Sequence, residues 1–152
     1  MAVQGQLDAP AAAGVLRTYY IAADLVNWDY APTGIDQITG KAFDAQERLY
    51  TQSGAHRIGK VYRKAVYREY TDATFSKLKP RSADDLYLGL LGPIIHAEVG
   101  DTIKVVFKNK ADRPYSMHPH GVFYKKDSEG VAYNDGSSAA AKGGGAVAPG
   151  HT

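Results

Sequence analysis

Residues 102–109 read Thr-Ile-Lys-Val-Val-Phe-Lys-Asn. In an extended chain the apolar side chains of Ile103, Val105 and Phe107 share one face, with Lys104 and Lys108 on the other. Because successive side chains of a strand point to opposite faces, this alternation predicts a strand with one buried face. Sheets with one face in water are commonly antiparallel, so we expect antiparallel pairing here.

Outward from this segment, other stretches are rich in β-branched and aromatic residues and lie between turn signals. They predict three further strands, at Arg17–Ala23, Val61–Tyr70 and Met117–Tyr124. Ala42–Tyr50 predicts a short helix inside a polar excursion. The most apolar run, Leu86–Ile95, contains Gly-Pro and is neither one long helix nor one continuous strand. Several short strands of this kind predict an all-β sandwich or barrel.

The domain organisation predicted from length and composition is simple. The 152 residues suit one domain. Residues 1–16 are small and Ala-rich, which predicts a flexible N-terminal lead-in before a domain over 17–152. Residues 136–150 are too rich in Gly, Ala and Ser for a core strand, so we expect a flexible loop there.

Charge and hydropathy exclude several classes of function. Eighteen Lys and Arg against sixteen Asp and Glu give a net charge of +2, with no basic run of the kind that tracks phosphates, so we expect no nucleic-acid partner. No apolar stretch has the length of a membrane span. The first residues lack a basic region followed by an apolar core, so no export signal is visible; either the protein stays inside the cell or a leader has been removed.

The sequence contains no cysteine. This excludes disulfides, cysteine-based zinc sites and thiol catalysis within the chain. It also excludes a complete blue-copper centre, which needs a Cys thiolate beside its imidazoles. Any metal chemistry of the chain must therefore use His, Asp, Glu or Met.

Residues 116–122, Ser-Met-His-Pro-His-Gly-Val, hold two of the five histidines. In a strand, His118 and His120 would point the same way with Cα atoms about 6.7 Å apart, so both imidazoles could converge on one metal or hold two adjacent ones. Copper, zinc, iron or nickel all accept imidazole, and two imidazoles need further ligands from elsewhere. The alternative is that both histidines end a surface strand without binding anything. His56, His96 and His151 are not at ligand spacing from the pair.

Five longer blocks follow one another along roughly residues 17–150: 17–32 (RTYYIAADLVNWDYAP), 57–59 (RIG), 64–75 (KAVYREYTDATF), 88–102 (LGLLGPIIHAEVGDT) and 107–121 (FKNKADRPYSMHPHG). In sequence and order they resemble the N-terminal cupredoxin domain of the multicopper oxidases of the ceruloplasmin and hephaestin branch. Five ordered blocks are far more specific than one short motif. The fold implied is a cupredoxin-like Greek-key β-sandwich or barrel.

The resemblance also implies a role for the histidine pair. In these oxidases a His-x-His-Gly segment gives two ligands to a trinuclear copper cluster at a domain interface. By this resemblance His118 would bind the type 2 copper and His120 one of the type 3 coppers. The activity implied is one-electron oxidation of a substrate, commonly ferrous iron in this branch, coupled to reduction of dioxygen to water. Copper is the implied cofactor, the remaining cupredoxin domains are the implied partners, and the implied location is extracellular or periplasmic.

The chain also departs from the family pattern. The family domain continues past the Pro-Gly matched by residues 149–150 into a second His-x-His, and the type 1 Cys-His segment has no counterpart here. We therefore expect a domain that is incomplete at its C-terminus, lacks its closing strands, and leaves Leu90, Ile94, Val105 and Phe107 partly uncovered. Gly144 and Gly145 stand where ceruloplasmin-like first domains have an acidic pair for calcium, so that site is expected to be lost.

Two other interpretations stay open at this point. The chain could be a non-catalytic, stand-alone copper-binding module whose copies associate, for example as a symmetric trimer that brings three histidine pairs together. It could also be a structural domain without catalysis, as the A domains of coagulation factors V and VIII largely are. Intact His118 and His120 weigh against the second of these. The isolated chain is expected to be inactive as an oxidase.

Overall fold

The computed structural model describes residues 14–132 and 145–152. Within them, three strands form one open sheet in the order β2-β1-β3. Their bounds are β1 Leu16–Asp29, β2 Val61–Tyr70 and β3 Thr102–Asn109. β1 is central: it pairs antiparallel with β2 and parallel with β3. The expected antiparallel pairing of β3 is therefore wrong, because alternation of apolar and polar side chains reports one buried face and not the direction of the neighbouring strand.

The other elements are short helices. α1 spans Ala45–Thr51 and starts three residues after the predicted Ala42. Asp44 sets this start, since its carboxylate accepts a hydrogen bond from the Glu47 N–H while the Glu47 carboxylate accepts one from the Asp44 N–H, forming a capping box. Two 3₁₀ helices lie at Ala83–Leu88 and Lys126–Ser128. The apolar run 86–95 holds the end of the first one and irregular chain, as predicted.

The strand predictions fare unevenly. β2 and β3 have the predicted bounds, whereas β1 extends six residues beyond Ala23 because β2 continues beside it as far as Asp29. The strand predicted at Met117–Tyr124 is wrong: these residues are irregular. Pro119 lacks an N–H for a ladder, and Gly121 has φ +73°, outside the strand region. The mostly stranded architecture confirms the all-β, cupredoxin-like class, as an open sheet in the part of the chain described.

The centre of β1 forms the core. Ile21, Ala22 and Ala23 are fully buried. On one face of the sheet Ala22 packs with Tyr70 and Phe75, whose rings lie 5.6 Å apart, centroid to centroid. Burial of this kind contributes about 25 cal/mol for each Å² of apolar surface removed from water, which favours the central strand as the most stable element.

A buried carboxylate lies in the same face. The Asp24 residue is 4% exposed, and its Oδ2 accepts hydrogen bonds from Arg68 Nε at 2.7 Å and from the Tyr70 hydroxyl at 2.8 Å. Lys110 Nζ lies 4.0 Å from Oδ1 and donates to the Tyr70 hydroxyl at 2.9 Å. A buried charge needs such partners, so this cluster connects β1 and β2 with Lys110, the residue that follows β3.

A second carboxylate holds the start of the sheet. Asp101 accepts hydrogen bonds from the Glu98 N–H at 2.9 Å and the Val15 N–H at 2.8 Å, and from the Arg17 guanidinium. These donors favour the ionised form, first the Glu98 N–H, and they lower the pKa of Asp101 to about 2. The contact joins the turn before β3 to the first residues of β1.

Much of the apolar surface stays uncovered. Leu90, Ile94, Val105 and Phe107 are each half-buried or exposed in the described structure, as expected for a sheet without a full second layer. No helix within residues 14–132 and 145–152 is long and apolar enough to cross a membrane. The predicted loop at 136–150 and lead-in at 1–16 fall mostly outside the described residues, although Leu16 is the first residue of β1.

Candidate metal centre

The two histidines of the His-Pro-His segment lie side by side although their segment is not a strand. The ring centroids of His118 and His120 are 6.2 Å apart, with an angle of 79° between the ring planes. Both residues are exposed. The two rings are therefore neighbours, through an irregular backbone and not through the pleat of a strand, and their convergence on a metal stays a prediction.

A backbone carbonyl fixes the orientation of His118. Its Nδ1 lies 2.7 Å from the carbonyl oxygen of Glu129. A carbonyl only accepts, so Nδ1 carries the hydrogen, and in the neutral ring the lone pair is on Nε2. Metal-binding histidines in proteins are commonly held in this way, with one ring N–H donated to an oxygen and the other nitrogen left for the metal.

The chain on either side of His118 is held by several further bonds. Ser116 Oγ donates to the carbonyl of Gly130 at 2.5 Å, and Tyr67 of β2 donates its hydroxyl to the Ser116 carbonyl at 2.5 Å. Tyr115 and Val147 exchange two backbone hydrogen bonds, of 3.1 and 2.7 Å. Burial raises the pKa of Tyr67, so its hydroxyl stays a donor at neutral pH. The sheet thus positions the histidine segment through Tyr67.

Gly130 is required at this contact. Its φ is +71°, a region that L side chains avoid. A Cβ at this position would also overlap the carbonyl oxygen of Met117, the residue before His118. The close approach of 129–130 to 116–118 therefore depends on a glycine.

The two imidazoles fit copper as contributors of part of a ligand set. Imidazole is a good copper ligand, and His120 makes no hydrogen bond to another described residue, so its ring nitrogens are accessible. Within 14–132 and 145–152, no group of three or more His, Asp or Glu side chains is close enough to hold a metal ion. A tight site would need additional donors beyond the pair.

The remaining histidines lie elsewhere. His56 is in an exposed turn, and the backbone of His96 exchanges hydrogen bonds with the Tyr19 hydroxyl. The His151 carbonyl accepts from the N–H of Asn109 at 2.9 Å. Gly144 and Gly145 stand where ceruloplasmin-like first domains have an acidic pair for calcium, and they fall at the edge of the described residues. The loss of that calcium site therefore stays a prediction.

Sequence reasoning missed two neighbours of the pair. The Glu129 carbonyl gives no sequence signal, because any residue supplies a carbonyl. The Tyr124 ring lies 5.8 Å from that of His118, centroid to centroid, at an angle of 74°. The signal that could have found Tyr124 is its closeness in sequence to the pair, next to Phe123.

Sequence comparisons with known proteins match most of the chain, including the histidine pair. The family model for multicopper oxidases matches residues 71–143, which include both histidines. The chain is 51% identical to ferroxidase HEPHL1 of Homo sapiens over 138 residues, which is 90% of this chain and 12% of that protein. It is 46% identical to hephaestin of Mus musculus over 139 residues (90% and 12%) and 46% identical to ceruloplasmin of Mus musculus over 140 residues (90% and 13%).

The chain thus spans about an eighth of the length of these relatives. The matched part includes most of the sheet and the whole His-Pro-His segment. Copper is the cofactor that the family implies, and imidazoles such as those of His118 and His120 are donors that copper accepts. The family match and these identities show that the chain belongs to the multicopper oxidase family, in the branch of hephaestin and ceruloplasmin.

Proposed function

We propose that this chain is a copper-binding cupredoxin segment of a multicopper oxidase, and that His118 and His120 are ligands of its trinuclear cluster. His118 would bind the type 2 copper and His120 a type 3 copper. The observation that supports the proposal is the bond from His118 Nδ1 to the Glu129 carbonyl, because it leaves Nε2 as the metal-binding nitrogen of a ring whose centroid lies 6.2 Å from that of His120. Bound copper would supply one-electron oxidation of a reducing substrate, such as ferrous iron, coupled to reduction of dioxygen to water.

The chain's own residues provide placement in this scheme. Glu129 holds one tautomer of His118, and Tyr67 connects the segment to β2. The exposed position of the pair leaves room for ligands from another polypeptide segment. Further cupredoxin domains would supply these ligands and the cysteine of the electron-entry copper, and the relatives' greater length supports this arrangement.

Copper titration of the 152-residue chain tests the assignment. We expect one weak Cu²⁺ site. Calorimetry measures its affinity, and nitrogen hyperfine structure in the electron paramagnetic resonance spectrum shows that imidazole binds the copper. His118→Ala and His120→Ala together should abolish it, whereas the matched pair His56→Ala and His96→Ala should leave it unchanged. Equal copper uptake by the His118/His120 double variant would remove the pair from consideration.

Oxygen uptake tests the role of other domains. The copper-loaded chain should consume oxygen with ferrous iron no faster than free copper does, because it has no cysteine for an electron-entry copper and only one His-x-His pair. Turnover by the pure chain above the rate of free copper would contradict the need for partner domains.

A second candidate function is a non-catalytic copper-binding module. It is favoured by the exposure of both imidazoles and by the lack of a third ligand among the described residues, since copies of the chain could complete one another's sites. Sedimentation with and without copper distinguishes the two. Copper-dependent trimers would support the module, and a monomer under both conditions would leave the oxidase segment as the better account.

A further inference from the structure

A concave surface lies far in sequence from His118 and His120, where β1 ends and β2 begins. It has a volume of about 380 Å³ and is lined by Tyr30, Ala31, Tyr50, Thr51, Lys60, Tyr62 and Lys64; we call it the tyrosine pocket. The rings of Tyr30 and Tyr62 meet edge to face, 5.5 Å apart between centroids. Tyr50 of α1 forms another wall and is 74% exposed. Three accessible aromatic rings thus surround an open hollow whose volume lies at the small end of the range of ligand sites.

One of the two lysines in the tyrosine pocket is already neutralised. Lys60 Nζ lies 2.9 Å from Asp29 Oδ2 and donates to the Ala31 carbonyl at 2.8 Å. The Ala31 N–H and Lys60 together lower the pKa of Asp29, so this carboxylate stays ionised at neutral pH. The Lys60–Asp29 pair therefore adds no net charge.

The other lysine is not neutralised. Lys64 Nζ lies 5.5 Å from the ring centroid of Tyr30 and 5.9 Å from that of Tyr62. No carboxylate or hydrogen-bond acceptor among the described residues pairs with it. Ring faces attract a cation but leave it free to bind an anion from the open side. The tyrosine pocket thus presents one uncompensated positive charge above an aromatic wall.

We propose that the tyrosine pocket binds small planar aromatic carboxylates, with the ligand ring against the tyrosines and its carboxylate on Lys64. The aromatic walls favour a flat apolar body, and Lys64 excludes ligands that carry an ammonium group. The cavity accommodates a ligand of one or two fused rings, at the small end of the usual range. This site is independent of copper and of the histidine pair, so it stands or falls separately from the oxidase proposal.

The test uses the metal-free 152-residue chain and 2-naphthoate, titrated by calorimetry. We expect saturable one-site binding. Cyclohexanecarboxylate, which lacks the aromatic ring, and 2-naphthylmethylamine, which lacks the anion, should both bind at least about fivefold more weakly. Equal affinity for the amine would overturn the role of Lys64, and equal affinity for the cyclohexane acid would overturn the aromatic wall.

Matched variants separate the pocket from general surface effects. Lys64→Met should weaken naphthoate binding about fivefold, and Lys64→Arg should retain it. As a control, Lys104→Met removes the same charge from an exposed position of β3 and should have no effect. Tyr50→Ala should weaken binding on the order of tenfold, with Leu49→Ala as its control on the same helix. Both Tyr50 and Leu49 are exposed, so neither change should unfold the chain. If each variant matches its control, the proposal is wrong.

Discussion

Replacing Asp24 with alanine should lower the free energy of unfolding by about 3 kcal/mol, and the structure explains this magnitude. The carboxylate side chain is 5% exposed and accepts from Arg68 Nε and the Tyr70 hydroxyl. Breaking a fully buried ion pair costs about 3–5 kcal/mol, but the Arg68 side chain is 38% exposed and can turn to water. We therefore assign about 1 kcal/mol to the loss of the ion pair between Asp24 and Arg68. The buried Tyr70 hydroxyl cannot reach water as easily, and losing its acceptor costs about 2 kcal/mol.

A double-mutant cycle checks this partition. Asp24→Asn keeps one acceptor oxygen and should cost about half as much as the alanine variant. In the Tyr70→Phe background, Asp24→Ala no longer strands a hydroxyl, so its cost should fall to about 1 kcal/mol. Asp112→Ala breaks an exposed pair with Arg63, 3.4 Å apart, and should change stability by less than about 0.5 kcal/mol.

Urea unfolding followed by Trp28 fluorescence and circular dichroism measures all five variants, the Tyr70→Phe background included. An Asp24→Ala cost below about 1 kcal/mol, equal to that of the exposed Asp112 control, would refute the reasoning. Strict additivity with Tyr70→Phe would refute the assignment of the larger share to the hydroxyl, even if the total were right.

Other predictions concern the surroundings of the histidine pair and the acid limit of the fold. Gly130→Ala should destabilise the chain by at least about 1–2 kcal/mol and weaken copper binding. Gly34 has the same φ of +71° but lies in open space, so Gly34→Ala should affect stability alone. Urea unfolding and copper titration compare the two variants. Tyr67→Phe should cost about 1 kcal/mol and weaken copper binding several-fold, because the bond to the Ser116 carbonyl is lost. Asp101 has a lowered pKa and so contributes stability that is complete above about pH 4 and lost as the pH falls toward 2. Asp101→Asn should therefore flatten the dependence of unfolding on pH across that interval, and an unchanged slope would contradict the assignment.

The predictable part of the fold was local. β2 and β3 have the predicted bounds because β-branched and aromatic residues fill them and turn residues flank them. The end of β1 at Asp29 could not be predicted, because it depends on β2 lying alongside. The parallel pairing of β3 with β1 was missed for a related reason: the long connection from residue 30 to 101 permits a crossover, and neither strand's own sequence records it.

At the candidate site, too, the residues could be predicted from the sequence but the contacts that position them could not. The sequence identified His118 and His120, and their rings do lie together, but the assumed cause was the pleat of a strand. In the structure the pair depends on contacts distant in sequence: Tyr67 of β2 and the backbone at 129–130. Such contacts are side chain to backbone, and they follow no period that a sequence pattern could reveal.

The histidine segment and the tyrosine pocket are both attached to β2. One end of the histidine segment is bonded to β2, whereas the tyrosine pocket lies at the beginning of the same strand, at Tyr62 and Lys64. Since β2 is paired along its length with β1, each site is attached to the most stable part of the molecule and not to the other. Ligands at the two sites should therefore bind independently. The affinity for 2-naphthoate should be the same with and without Cu²⁺ within about twofold, and a larger difference would show that β2 transmits a change between them.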